Sequence, residues 1–165
     1  MTELSDDHYI LCTIAETTYA IPSRDVAHVE MIDEVTAVPN AAPFVDGVVF
    51  SRGQVVPAIN MRVRFGFPRT DADLRTRLLV VSVEGRRIGL VVDSCREFLT
   101  IPAASIQAPG EALARSGAQY VRGIATVATR LIVILRLDDL LHSAAPLMSG
   151  DATATGEVHG NAQAL

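Results

Sequence analysis

The sequence lacks the features that mark membrane-spanning, metal-binding and nucleotide-binding proteins. Its longest stretch without Asp, Glu or Arg, Phe98–Gly110, has thirteen residues and two prolines, which is too short and too interrupted to span a bilayer. No two of the four histidines have metal-ligand spacing, and no glycine-rich loop precedes a helical pattern. We therefore expect no cofactor, no bound metal and no direct membrane insertion.

Lysine is absent, and all fourteen cationic side chains are Arg, which suits bidentate contacts with carboxylates. The formal net charge of −5 opposes non-specific binding to nucleic acid or anionic lipid. Basic residues cluster only between positions 62 and 77, where Asp71 and Asp73 offset them. The first seven residues carry three acidic and no basic side chains, unlike a secretory signal, so the sequence predicts a cytoplasmic protein.

The two cysteines, Cys12 and Cys95, both lie in apolar runs. They form no Cys-x-x-Cys motif and no Cys/His cluster, so neither a metal site nor a redox motif is indicated. We interpret both as small buried hydrophobic side chains that stay reduced.

The chain repeats itself with a period of about seventy residues. A shift of 69 places Tyr9–Ile14 on Leu78–Val83, and a shift of 76 places Phe44–Val48 on Tyr120–Ile124. Many short apolar runs, few helix-length patterns and one repetition predict two small β-barrels side by side. Each barrel alone would have a marginal core, so we expect burial between the two lobes to stabilise both.

A duplicated β-barrel can also be a hydrolase, and Asp93-Ser94-Cys95 superficially resembles the Asp-Ser/Thr-Gly loop of aspartic proteases. That chemistry needs two carboxylates that share a proton. The repeat places Arg24 opposite Asp93, and Cys95 replaces the glycine of such a loop. The histidines also lack a Ser or Cys context for a nucleophilic triad. The sequence therefore predicts a protein that is not an enzyme.

The most informative stretch is a pair of apolar runs, Val48–Phe50 and Val55–Ile59, around the turn Ser51-Arg52-Gly53-Gln54. Gly53 can adopt the positive φ that such a tight turn requires, so the pattern predicts a β-hairpin. Arg52 then lies at its tip. From the residues alone, an ordinary solvated turn charge is the simpler interpretation of Arg52.

The pattern Gly-x-x-x-x-Arg-Gly-x-x-x-Pro, which runs from Gly47 to Pro57, resembles the signature segment of the CheW family. These scaffold proteins couple chemoreceptors to a histidine kinase. Three further segments are similar to the family in order and spacing, so the resemblance covers about Tyr9 to Leu141. They are Gly89–Asp93, Tyr120–Gly123 and Leu137–Leu141.

The sequence departs from the family pattern in three places. Phe50-Ser51 stands where the family commonly has Asn-Leu, His28 stands near a frequently acidic position, and Asn60 stands where Asp is common. These departures leave the expected fold intact and bear on how the receptor is contacted.

The resemblance implies an all-β fold of two intertwined, five-stranded SH3-like β-barrels with short helical pieces and no catalysis. We expect one CheW-like domain over 5–143, with a first lobe at 9–65, a linker at 66–76 and a second lobe at 77–142. The composition of 144–165, rich in Ala, Gly and Thr, predicts a disordered tail.

The resemblance also implies two partners, the regulatory domain of a CheA-type histidine kinase and the cytoplasmic tip of a methyl-accepting chemoreceptor. On this basis we expect Arg52 and the adjacent Ser51 to contact a partner, and Val26, Val29 and Phe44 to offer apolar surface to the receptor. Val26 and Phe44 also fit core positions. The protein is then an adaptor recruited to membrane-associated receptor arrays.

Two alternatives to this function stay open at the level of sequence. One is a scaffold of a pilus or other non-flagellar chemosensory pathway, which would use the same fold. The other, in a different class, is an orphan ligand-binding or nucleic-acid-binding β-barrel. The second alternative requires aromatic side chains among basic ones, whereas most aromatic residues here occupy strand positions in phase with the core.

Overall fold

The structure, a computed structural model, describes residues 7–111 and 120–142, and the predicted tail at 144–165 lies outside them. Its strands are β1 Asp7–Ile14, β2 Thr17–Pro22, β3 Val26–Met31, β4 Val45–Ser51, β5 Gln54–Asn60, β6 Arg77–Val83, β7 Arg86–Val92, β8 Ser94–Ile101, β9 Ile106–Gln107, β10 Val121–Val127 and β11 Arg130–Leu135. Its helical pieces are 3₁₀ turns at Ser23–Asp25 and Ala103–Ser105 and the α-helices α1, Met61–Arg64, and α2, Leu137–His142. Neither α-helix of these segments has the length that crossing a bilayer requires.

The strands form two sheets, and each sheet takes strands from both halves of the chain. The first sheet has the order β8-β1-β2-β11-β10-β9, and the second has the order β3-β6-β7-β5-β4. Strands β2 and β11 pair in parallel, as do β5 and β7, whereas the other pairs are antiparallel. The predicted lobes at 9–65 and 77–142 each contribute to both sheets, so their boundaries follow the sequence repeat and not the sheets.

Both sheets close into barrels through a segment that bends from one edge strand to the other. Strands β8 and β9 are separated only by a short 3₁₀ turn, so together they act as one bent strand that pairs with β1 and with β10. In the second sheet the chain after β3 reaches β4, where Thr36 and Val48 exchange two backbone hydrogen bonds of 2.9 and 2.8 Å. The prediction of an all-β chain with two five-stranded barrels is confirmed.

Three apolar clusters form the core of the protein. Two of them lie inside the single barrels, and the largest lies between the two barrels. Seven buried residues of the first sheet fill one barrel, and six of the second sheet fill the other. Among the described residues the third cluster has fourteen buried members, drawn from both sheets and from α1 and α2, and we call it the inter-barrel core. Leu137, Leu140 and Leu141 of α2 belong to it. Burying such a side chain contributes about 1.5–3 kcal/mol, so this cluster stabilises both barrels together.

The internal repeat reappears in the backbone of the two barrels. Strand β10 has the bounds of β4 moved by 76 residues, and each strand has a register shift beside its glycine, Gly47 or Gly123. At both glycines another backbone approaches closely. A Cβ at Gly47 would lie 2.1 Å from the carbonyl oxygen of Thr36, and one at Gly123 would lie 2.8 Å from that of Gln107. Because neither glycine has a side chain, the segment that closes each barrel can approach its backbone closely.

We expect Gly47→Ala to lower the free energy of unfolding by about 3 kcal/mol or more. The new methyl group would overlap the Thr36 carbonyl, and Gly47 has a φ of +145°, which side chains rarely adopt. Gly53→Ala is the matched control, because its φ is +82° but no atom lies within 4 Å of the added Cβ. That variant should lose only about 1–2 kcal/mol. Equal losses in urea unfolding would show that barrel closure does not depend on Gly47.

Candidate partner-binding surfaces

The β4–β5 hairpin ends in a two-residue turn formed by Arg52 and Gly53, with Ser51 paired to Gln54. The φ angles of Arg52 and Gly53 are 47° and 82°. Two successive positive φ values match the type I′ turn, whose twist suits a tight hairpin. The predicted turn, with Gly53 in the left-handed region, is therefore present. Arg52 adopts a left-handed conformation as well, and its side chain is exposed at the tip.

Two exposed apolar side chains flank this turn. Phe50 and Val55 are paired across the hairpin, and they are 74% and 65% exposed. We refer to Phe50, Arg52 and Val55 as the hairpin-tip surface. The exposed pair was not predicted from the sequence, where most aromatic residues were expected to lie in the core. The alternation of side chains along the strand could have revealed the exposed position. Phe50 lies between buried Val49 and buried Ser51, so its side chain must face the other side of the sheet.

Ser51 is buried, at 4% exposure, and lies beneath the hairpin-tip surface. Its hydroxyl donates a hydrogen bond of 2.6 Å to Oε2 of Glu30 and lies 3.0 Å from Nε2 of His28. The His28 Nε2 is also 2.6 Å from the same Glu30 oxygen. These contacts tie β3 to the end of β4. Ser51 thus holds the hairpin in place instead of offering surface to a partner.

The same three residues do not form a nucleophilic triad. In such a triad the carboxylate orients the imidazole through one ring nitrogen while the other nitrogen meets the nucleophile. Here Glu30 and Ser51 both contact Nε2 of His28, and Nδ1 is buried with no hydrogen-bond partner among residues 7–111 and 120–142. The Ser51 hydroxyl donates its proton to Glu30, so the arrangement joins two strands and does not set up proton transfer from a nucleophile to His28.

Val26 and Val29 lie on β3 and are half-buried. Both pack against the inter-barrel core, and Val26 pairs with Val81 of β6. The structure therefore gives them a packing role, and only part of each side chain remains open to a partner.

Phe44 lies just before β4, at the opposite end of that strand from Arg52, and the strand is roughly 20 Å long at about 3.4 Å per residue. It belongs to a half-buried aromatic cluster at the junction of the two barrels. The Arg64 guanidinium lies 5.4 Å from the centroid of the Phe44 ring and 5.5 Å from that of Tyr120. Phe65 stacks on Tyr120 at 5.0 Å and meets Tyr19 at 5.1 Å. We call these five residues the seam surface.

The internal repeat explains part of the seam surface. Phe44 and Tyr120 are equivalent under the shift of 76, and each precedes a strand and accepts a backbone hydrogen bond of 2.7 Å, from Asn60 and Arg136 respectively. The repeat was visible in the sequence, but the position of Arg64 between the two rings depends on how the barrels meet. That position could not be inferred from the alignment of the two halves.

Asp93 links the two barrels close to the point where β7 passes into β8. Its carboxylate accepts hydrogen bonds of 2.9 and 3.1 Å from Nε of Arg62 and one of 2.9 Å from the backbone N–H of Ala15. Its own N–H donates to the Thr13 carbonyl at 3.0 Å. The hydrogen bond to Asp93 raises the pKa of Arg62. Asp93 thus has a structural partner in place of the second carboxylate that protease chemistry needs.

A groove of about 270 Å³ lies beside this link, beneath the segment at 69–72. Arg62 pairs with Asp93, and Arg69 pairs with Asp46 at 2.6 Å. Asn60 donates to Asp46 at 3.0 Å and caps α1 by accepting from the Val63 N–H. Because these cations are already matched by carboxylates, the groove offers no surplus positive charge for a phosphate-bearing ligand.

We expect Ser51→Ala to lower the free energy of unfolding by about 1–2 kcal/mol, because it removes a buried donor to Glu30. Ser82→Ala is the matched control, since Ser82 is exposed on β6. It should change stability by less than about 0.5 kcal/mol. Chemical denaturation of both variants gives the comparison, and equal stabilities would show that the Ser51 contacts do not hold the hairpin.

The comparisons with known proteins agree with this architecture. The family model of the CheW-like domain matches residues 8–145. The chain is 27% identical over 141 residues to chemotaxis protein CheW of Klebsiella aerogenes, covering 86% of this chain and 85% of that protein. It is 30% identical over 128 residues to the Helicobacter pylori protein, covering 78% and 77%.

A solved structure is similar over most of the chain as well. The scaffolding protein TtCheW from Thermoanaerobacter tengcongensis aligns with a TM-score of 0.70 and 26% identity, covering 79% of this chain and 89% of that one. The resemblance inferred from the hairpin motif is therefore confirmed. The chain belongs to the CheW-like domain family, whose members are scaffolding proteins of chemotaxis and not enzymes.

Proposed function

We propose that this protein is a non-catalytic adaptor that couples chemoreceptors to a CheA-type histidine kinase. The observation that carries the proposal is the separation of two surfaces on one packed body. The hairpin-tip surface and the seam surface lie at opposite ends of β4, roughly 20 Å apart. An adaptor needs two such surfaces so that one partner does not block the other.

The hairpin-tip surface suits the regulatory domain of the kinase. Small β-barrels meet well through the apolar ends of their strands, and Phe50 and Val55 provide such an end. Aromatic and Arg side chains are the residues that most often dominate protein interfaces. Arg52 adds a charge at the centre of this surface, and the buried Ser51 network fixes the direction of the hairpin.

The seam surface suits the helical hairpin at the tip of a receptor. A surface at the junction of two barrels that presents aromatic rings and an Arg can receive the apolar face of an amphipathic helix. Phe44 belongs to this surface, and Val26 and Val29 are half-buried on β3 of the second barrel. We keep all three residues as proposed receptor contacts.

Three cations of the basic cluster at 62–77 favour protein partners over nucleic acid. Arg62, Arg69 and Arg75 all form ion pairs with carboxylates of the same chain. Each of these pairs neutralises a charge that phosphate binding would need. This distribution of charge fits protein partners better than nucleic acid. A receptor and a kinase can be recognised through apolar surface and the exposed Arg52.

We expect Arg52→Glu to fold normally and to lose affinity for the kinase regulatory domain. An exposed turn charge contributes less than about 0.5 kcal/mol to stability. An Arg at the centre of an interface contributes about 2 kcal/mol, which is a loss of roughly 30-fold in affinity. Isothermal titration measures the affinity, and kinase activation in reconstituted receptor arrays measures the coupling.

Arg86→Glu makes the same charge change at another exposed position, at the start of β7, and is the matched control. It should bind and couple like the parent. Unchanged coupling by a folded Arg52→Glu variant would remove Arg52 from the site. Failure of the parent protein itself to bind any kinase regulatory domain from the same genome would contradict the adaptor function.

A further inference from the structure

The two cysteines of the chain lie directly opposite each other on neighbouring strands. Cys12 of β1 pairs with Cys95 of β8 in an antiparallel register, although 83 residues separate them in the sequence. Residues that oppose each other in this way point to the same face of a sheet, with Cβ atoms about 4.5–5.5 Å apart. A disulfide requires about 3.5–4.5 Å. A small movement of the strands is therefore enough to join the two sulfur atoms.

The position of the pair in the fold permits this movement. The register of β1 and β8 shifts between Leu11 and Cys12, so that Arg96 is an extra residue next to Cys95. Such a bulge lets the strands bend locally. Both side chains contact the inter-barrel core, Cys12 at 2% exposure and Cys95 half-buried at its margin. A small oxidant can therefore reach Cys95 first, with Cys12 behind it.

We propose that Cys12 and Cys95 form an oxidation site that a peroxide converts into an intramolecular disulfide between β1 and β8. The Cys95 thiol loses its proton, its thiolate attacks one peroxide oxygen and the O–O bond breaks, which gives a sulfenic acid and a hydroxide that takes up the released proton to form water. The sulfur of Cys12 then attacks the Cys95 sulfur, the S–O bond breaks and a second water leaves. In total, two thiols and one hydrogen peroxide give one disulfide and two waters.

The surroundings of the thiols determine the speed of this reaction. Burial raises the pKa of Cys95, and it raises the pKa of Cys12 further because Cys12 is enclosed by the core. Thiolates are the reactive species, so both cysteines react slowly. The site therefore responds to sustained oxidation and remains reduced during brief exposure.

The disulfide would form beside the seam surface. Cys12 also pairs with Tyr19 of β2, so Tyr19, Cys12 and Cys95 form a row across three strands. Tyr19 contacts Phe65 of the seam surface. Oxidation would thus join β1 covalently to β8, next to the strand that contains Tyr19 of that surface. The formation of the disulfide itself does not depend on the proposed function.

Peptide mapping of the full chain tests the proposal. The protein is incubated with hydrogen peroxide for increasing times, its remaining thiols are blocked with N-ethylmaleimide in denaturant, and it is digested without reductant. We expect a linked pair of peptides containing Cys12 and Cys95, with both cysteines protected from the maleimide in most molecules at late times. Dithiothreitol should restore both thiols.

The Cys12→Ala variant separates the two steps, because Cys95 then has no neighbouring thiol. We expect dimedone to trap a sulfenic acid at Cys95 in that variant. The wild-type map decides the question by itself if the variant does not fold. Three wild-type results would overturn the proposal: a sulfinic acid at Cys95 with Cys12 still blocked by the maleimide, a disulfide between two chains, or full maleimide labelling of both cysteines after prolonged oxidation.

Discussion

The inter-barrel core is the feature on which the rest of the structure depends. Within residues 7–111 and 120–142 it contains fourteen buried residues, against seven and six inside the two barrels. The first sheet takes β1, β2 and β8 to β11, and the second takes β3 to β7, so neither barrel can form from one half of the chain. Because the largest apolar cluster and the strand exchange both join the barrels, we expect the molecule to unfold as one cooperative unit. Asp93 adds a polar link across the same boundary.

This cooperative body accounts for the two exposed surfaces. The seam surface exists only because residues from both barrels meet around Arg64. The hairpin-tip surface is held by the Ser51 network, which joins β3 to the end of β4. A scaffold that changes shape little on binding keeps its partners at a fixed separation. The absence of a nucleophilic geometry around His28 agrees with a family whose members are scaffolding proteins.

Much of the fold could be predicted from the sequence, because short apolar runs and a repeat of about seventy residues are local signals. Gly53 and the Arg52 turn were also predicted correctly. The exchange of strands between the halves came only from the family resemblance, because no local pattern specifies which strands pair. The role of Gly47 was missed for a related reason: the Thr36 carbonyl that approaches it belongs to another segment.

The candidate site was harder to predict than the fold. Ser51 is buried, and Val26 and Val29 pack on the core, because hydrogen bonds and burial depend on tertiary neighbours that the sequence does not reveal. The structure gives a role to residues at which this sequence departs from the family pattern. His28 and Ser51 share Glu30 as partner, and Asn60 can donate a hydrogen bond to Asp46, which an ionised Asp could not do.

The proposed adaptor function requires that one rigid body offers two separate binding surfaces. Hydrogen exchange of the full chain, measured alone, with a kinase regulatory domain and with a receptor-tip fragment, tests it most directly. The account predicts that the kinase domain slows exchange at positions 48–56, that the receptor fragment slows exchange around 44, 64–65 and 120, and that the core strands β6 and β7 do not change. Protection of one common segment by both partners, or faster exchange in those core strands, would contradict it.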